Sequence, residues 1–241
     1  MNGLAPIRNR RPWVMAMRWD DLAFLHWPVP VAVLEARIPN GLQLDTFAGQ
    51  AWIGIVPFRM AGVQARGLPQ VPGTNEFLEL NVRTYVTNGT RPGVWFFSLD
   101  CANLLAVRGA RVGFSLPYFD AKMQSLETNS SFDYLSTRTH RGEPAARFRA
   151  KYEPSSEVTP TTPGTLEHWL TERYCLYAKR STGQVIRGEI LHQPWPLQAC
   201  KVEIFENTLC DSLGLSLPAK PVLAHFAKRL EVHAWLPVNL S

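Results

Sequence analysis

Residues 74–87 alternate strictly between two faces. Phe77, Glu79, Asn81, Arg83 and Tyr85 fall on one, and Leu78, Leu80, Val82, Thr84 and Val86 on the other, the period of a β-strand. The polar face has two readings. It faces water on the outside of an antiparallel sheet, or it lines a wet interior cavity of a barrel, where a carboxylate and a guanidinium could hold a small ligand.

The same reading along the chain predicts mostly strands. Asp20 or Asp21 is expected to cap a short amphipathic helix, and residues 30–36 to form a second that stops before the turn signal Pro39-Asn40-Gly41. Residues 51–60 alternate as a strand, and Pro57 within them argues for an edge or a bend. Residues 62–73 are rich in Gly and Pro and read as a loop, and Asn88-Gly89 marks a hairpin. Residues 94–99 are apolar on both faces, which predicts a strand buried on both sides. A short helix over 102–108, a strand over 147–153, a Ser/Thr/Pro loop over 155–165 and a helical turn over 165–170 follow. Strands over 173–178, 185–191 and 202–206 and a long strand, or two short ones, over 222–235 complete the chain. A β-rich α+β fold results: a closed or nearly closed antiparallel barrel with a few short peripheral helices. Neither a repeat nor a long linker divides it, so residues 1–241 are expected to form one domain, with 1–12 as a loose tail.

An apolar fraction of 46% and eight Trp supply a core and argue against disorder. The net charge of +5 is mild. Its runs, Arg8 to Arg11 and the group Arg138, Arg141, Arg147, Arg149 and Lys151, read as a solvated tail and an outer sheet face. No recognition helix, zinc finger or RNP-type motif accompanies them, so no nucleic-acid partner is expected. The N-terminus has no apolar leader segment and no apolar run reaches spanning length, which gives a cytoplasmic expectation with no membrane partner. The four Cys are scattered and read as small buried hydrophobes. The six His show no metal-ligand spacing, and neither hydrolase, Walker nor dinucleotide glycine motifs occur; no metal and no cofactor are expected.

Three blocks in order, residues 33–45, Glu79 in its alternating strand, and Arg111 followed six residues on by Pro117-Tyr118, resemble the acetoacetate decarboxylase-like superfamily. Asp20-Asp21-Leu22, residues 24–28 and 95–100, residues 169–174, and His192 to Pro196 are similar to its uncharacterised bacterial branch, the DUF2071 (YqjF-like) proteins. The resemblance implies an acetoacetate decarboxylase-like antiparallel β-barrel and places the superfamily's catalytic Glu on Glu79. It also shows what is missing. The superfamily's motif continues Pro-Lys-Lys, and its first Lys forms the Schiff base; here Tyr118 and Phe119 follow Pro117. Its N-terminal active-site Arg falls on or near Asp20. A Tyr cannot form an iminium, which needs an unprotonated amine, and Lys122 lies outside the motif position.

The candidate catalytic residues are therefore Glu79 and Tyr118, with Arg83, Arg111, Asn81 and His192 as candidate ligand-binding residues. Tyr118 has the alternative of a plain aromatic filler. Arg111 has the alternative of a structural ion-pair partner for Glu79 or Asp100. Two function classes stay open. One is a small-molecule-binding protein or enzyme whose interior cavity takes a carboxylate- or carbonyl-bearing ligand. Its chemistry, if any, would be lyase- or isomerase-like proton transfer next to a carbonyl rather than Schiff-base decarboxylation. The other is a non-catalytic protein with a packed barrel and an apolar surface for assembly, with homo-oligomerisation as an open option.

Overall fold

The computed structural model describes residues 11–70 and 72–240, so the basic tail expected over residues 8–10 lies outside the described residues. In chain order the elements are β1 (Met15–Val29), α1 (Val31–Glu35), β2 (Gln43–Leu44), β3 (Ala51–Ala65), β4 (Glu76–Thr87), β5 (Pro92–Cys101), α2 (Leu104–Phe114) and β6 (Tyr118–Thr128). They continue with β7 (Ser131–Arg138), β8 (Arg147–Pro154), β9 (Thr159–Pro160), α3 (Leu166–Thr171), β10 (Cys175–Lys179), β11 (Val185–His192), β12 (Pro196–Asn207), a 3-10 turn (Asp211–Leu213), β13 (Leu223–Ala234) and β14 (Val238–Asn239).

All strands belong to one 14-stranded sheet whose pairings close two rings. The first runs β1-β3-β4-β5-β10-β11-β13 and returns to β1. The second leaves β5 through β6, β7, β8 and β12 and re-enters at β13. Strands β1, β3, β4 and β13 thus divide two interiors, one on each face. On β1, Leu22 and Phe24 pack into the first interior, and Ala23, Leu25 and Trp27 into the second. On β4, Leu80 and Val82 join the second, where Phe132, Tyr134, Phe148, Tyr152 and Phe226 fill the space between the walls.

This arrangement corrects several expectations. The segment at Asp20-Asp21 caps no helix; it lies inside β1. A strand buried on both faces loses its apolar–polar alternation, so its period was masked. Asp21 takes a left-handed φ of 56° where the register against β3 shifts between Asp20 and Leu25. Pro57 is not at an edge, because β3 is paired on both sides. It sits opposite that register break, where a missing N–H leaves no ladder bond unmade. The barrel is not wholly antiparallel: β5 pairs parallel with both β6 and β10, and α2 supplies the crossover from β5 to β6. The helix expected over 102–108 runs to Phe114, with the Asn103 side chain accepting from the Ala106 N–H at its start. Arg111 is therefore on its last turn, not at a strand end. Arg138 is not on an outer face; it is buried and paired with Asp100 at 2.8 Å. The Asn88-Gly89 hairpin does join β4 to β5, with Gly89 at φ 89°. No helix among the described residues is long and apolar enough to cross a membrane.

Candidate functional site

The interior of the first ring is hollow. A cavity of about 380 Å³ lies within the size range of small-molecule sites. Its long wall is β4, read against its neighbours rung by rung. Arg83 lies between Gly54 and Phe96, Asn81 between Val56 and Leu99, and Glu79 between Phe58 and Cys101, while Phe77 pairs with Met60. Phe77, Glu79, Asn81 and Arg83 all line the cavity, as the alternation of residues 74–87 requires if that face is turned inward. Gly54 gives Arg83 its room: a Cβ there would come within 3.1 Å of the His26 ring and 3.5 Å of Arg83 Cγ.

Glu79 is 2% exposed, and its partner differs from the one expected. Instead of a guanidinium it has a phenol: the Tyr118 hydroxyl donates to Glu79 Oε2 at 2.9 Å. Tyr118 reaches it because β6 starts beside Leu99 of β5, one strand over from Asn81. Burial pushes the Glu79 carboxyl up to about 8, opposed only by the Tyr118 hydrogen bond. Burial and the neighbouring Glu79 also hold the Tyr118 phenol well above its ordinary value. Tyr118 is thus a polar neighbour of the carboxyl as well as an aromatic in the wall.

Arg83 carries a buried charge with little to offset it. Its Nη2 donates to the Leu170 carbonyl at 3.3 Å, its guanidinium lies 5.3 Å from the Phe24 ring and 5.7 Å from the Tyr85 ring, and no carboxylate pairs with it among the described residues. Its Nε and the neighbouring Asn81 Oδ1 are buried without a hydrogen-bond partner. His192 also lines the cavity. Burial lowers its pKa, and its ring stacks 4.5 Å from Tyr174 with Nδ1 2.7 Å from the Gln193 carbonyl.

Arg111 does not reach the cavity. It is exposed, donates to the Tyr118 carbonyl at 2.8 Å and lies 3.3 Å from His140 Nε2. It pairs neither with Glu79 nor with Asp100, whose partner is Arg138. Its position on α2 turns it outward while Ala106, Ala110 and Phe114 of the same helix face in.

Segment 169–174 and Trp195 complete the wall. Arg173 lines the cavity, but its charge is engaged by Asp45 at 2.7 Å and its Nε by the Trp169 carbonyl. Trp195 stands between Pro194 and Pro196, held by Glu172 Oε1 accepting from its backbone N–H at 2.9 Å. Its indole stacks on Trp19 at 5.9 Å, and both indole N–H groups are buried without a partner. Prolines on both sides of Trp195 fix its backbone, which suits a rigid wall element, whereas Trp19 carries no local signal because it lies in β1, a strand buried on both faces. Lys122, the nearest amine to the motif, is exposed on β6 and absent from the cavity wall. Among the described residues no three His, Cys, Asp or Glu side chains come together to hold a metal ion.

Comparison with known proteins matches this geometry to a scaffold. The DUF2071 family, described as uncharacterized conserved proteins, matches residues 16–231. The uncharacterized protein YqjF of Bacillus subtilis (strain 168) is 45% identical over 223 residues, covering 92% of this chain and 91% of that one. Among solved structures, the acetoacetate decarboxylase of Legionella pneumophila superposes with a TM-score of 0.64 at 12% identity, covering 98% of this chain and 92% of its own. An acetoacetate decarboxylase-like enzyme from Sphingomonas wittichii RW1 gives 0.65 at 12% identity and 98% coverage of both chains. The enduracididine biosynthesis enzyme MppR gives 0.65 at 12% identity, covering 96% of this chain and 89% of its own. These likenesses establish a shared acetoacetate decarboxylase-like fold, and the chain itself belongs to the DUF2071 family.

Proposed function

We propose that this protein binds a small carbonyl-bearing carboxylic acid in the first ring and moves a proton at the carbon next to the carbonyl. The observation that carries the reading is the Glu79–Tyr118 pair on a cavity wall that also bears Arg83. A buried guanidinium with no carboxylate partner is favourable only when an anion arrives, and a carboxylate matches its forked donors. Glu79 does not oppose that anion at neutral pH, because most of its population is protonated when its pKa is about 8. A group with that pKa suits both halves of an acid–base cycle near neutrality. In the forward step the Glu79 carboxylate takes the proton: the C–H bond breaks, its electron pair forms the new C=C bond as the carbonyl π pair moves onto oxygen to give the enolate, and an O–H bond forms on Glu79. Protonation at carbon from Glu79 reverses it. Tyr118 orients the carboxyl through its hydroxyl. Schiff-base chemistry is not part of the proposal, since among the described residues no lysine lines the wall.

The test is hydrogen–deuterium exchange at carbon. Oxo acids with the carbonyl at position 2, 3 and progressively further along the chain are incubated with the protein in D2O and followed by proton NMR. The expected result is accelerated loss of the proton next to the carbonyl, abolished in Glu79→Gln and slowed in Tyr118→Phe. Absence of both binding and exchange across the panel would overturn the reading.

A further inference from the structure

The cavity wall changes character along its length. At the Arg83 rung it carries charged and polar groups, and at the Phe77–Met60 rung the one polar group among the described residues is the indole N–H of Trp19, which pairs with Met60. Beyond Glu79 the surface is made by Met17, Met60, Phe77, Ala110, Phe114 and Leu116. Three of the chain's five Met, at positions 15, 17 and 60, line this one space. Unbranched thioethers adapt to ligands of differing shape. Small residues of α2 keep the end open: Ala106, Gly109 and Ala110 face it, and a Cβ added at Gly109 would touch nothing within 4 Å. From Arg83 to Phe77 the strand advances six residues, about 20 Å at ~3.3 Å each. A two- or three-carbon acid held at Arg83 would leave that apolar half empty.

We infer that the ligand is an amphipathic, medium-chain monocarboxylic acid, with its carboxylate at Arg83, its reacting carbon beside Glu79 and its apolar tail against Met17, Met60, Phe77 and the inner face of α2. This rests on the ligand-binding reading above and adds the substrate class. A second charge on the ligand is disfavoured by the tail site, where among the described residues beyond Glu79 there is no charged side chain and the one polar group is the Trp19 indole N–H. The carboxylate end is fixed because Arg173, the other cavity guanidinium, is already paired with Asp45.

The experiment titrates the full chain with straight-chain carboxylates from acetate to dodecanoate and with the primary alcohols of the same lengths. Isothermal calorimetry gives affinities, and the fluorescence of Trp19 and Trp195, both in the wall, reports the site. Affinity is expected to rise about fourfold per added methylene, the equivalent of ~0.8 kcal/mol, to an optimum and then fall. At the optimum the acid should bind at least about tenfold tighter than its alcohol, as expected for a charge-assisted pair with Arg83. Arg83→Met should remove that difference, and Ala110→Leu should move the optimum to a shorter chain. If acetate and propionate bind as well as longer acids while proton exchange of oxo acids persists, the chain-length inference falls and the proposed function stands. Equal binding of acids and alcohols, unaffected by Arg83→Met, would overturn the placement of the carboxylate. If no carboxylate binds at all, both fall together.

Discussion

Replacing Glu79 by Gln isolates the protonation of one buried group. Gln keeps the shape and an acceptor for the Tyr118 hydroxyl but cannot ionise. In the native protein burial holds the carboxyl at about 8 against an ordinary value of 4.5. Between those two values the folded state keeps a proton that the unfolded chain has released. Stability contributed by the neutral form is therefore complete below about pH 4.5, declines through the interval, and is gone once pH passes about 8. The slope is about 1.4 kcal/mol per pH unit. The full interval amounts to on the order of 5 kcal/mol, with about 3 already lost at pH 7, a large part of a domain's net stability. Other groups also contribute to the pH dependence, notably His26 and His192, whose pKa values burial lowers. The difference between the Gln variant and the parent cancels them. Urea denaturation of both proteins at pH steps from about 5 to about 9 gives that difference directly. It should grow in favour of Gln by about 1.4 kcal/mol per unit to about pH 8 and then level. A difference that stays flat with pH would mean Glu79 ionises as an exposed carboxylate does, and the proton-transfer proposal would lose its basis.

Three further outcomes follow from particular contacts. Incubation with acetoacetate and borohydride should leave no reduced adduct, because Tyr118 has no amine and Lys122 is exposed outside the cavity; mass spectrometry showing an adduct on Lys122 would contradict its placement. Gly93→Ala should lower the melting temperature, corresponding to about 1–3 kcal/mol, because a Cβ there would lie 2.6 Å from Cys175 Sγ and 2.7 Å from the Cys175 carbonyl across the parallel β5–β10 pair. An unchanged melting temperature would show a looser pair than drawn. Arg138→Met should cost about 3–5 kcal/mol in urea denaturation by leaving Asp100 buried and unpaired, and adding Asp100→Asn should restore most of it.

Period-two reading worked where a strand has chemically different faces. The strand at Glu79 was legible because one face is polar, and that face does line the cavity with Glu79, Asn81 and Arg83. It failed where both faces are apolar: β1 was missed because its two faces serve two interiors, a property of the closed pair of rings and not of any window of residues. The same closure explains Pro57, since only the tertiary register shows that its missing donor faces a break. The site was half legible. Glu79 and Tyr118 came from motif position, but their direct hydrogen bond depends on β6 aligning in parallel with β5, which no local pattern encodes. Arg111 was misplaced because a helix with Gly109 and Gly113 and no acidic residue in its first turn carries weak start and propensity signals. The expected helix therefore stopped at residue 108, short of Arg111.

The two interiors differ in kind, one hollow and one filled. A cavity beside a buried carboxyl and an unpaired guanidinium works against stability, so the strands around it need support from elsewhere. The filled ring supplies it on the opposite face of the same strands. Tyr134, fully buried there, donates its hydroxyl to the Glu79 carbonyl at 2.8 Å and lies 3.4 Å from the Phe58 carbonyl. It thus grips the backbone of β4 at the residue whose side chain faces the cavity. The aromatic stack of Phe132, Tyr152 and Phe226 behind it, with ring centroids 5.3–6.4 Å apart, leaves that backbone little freedom to shift. Glu79 is in this way fixed from one ring while its side chain faces the cavity of the other. Pre-organisation of this kind matters most for a proton-transfer group, where a small displacement of the carboxyl costs more than a change in its pKa. The aromatic core that reads in the sequence as ordinary packing is therefore part of what positions the site.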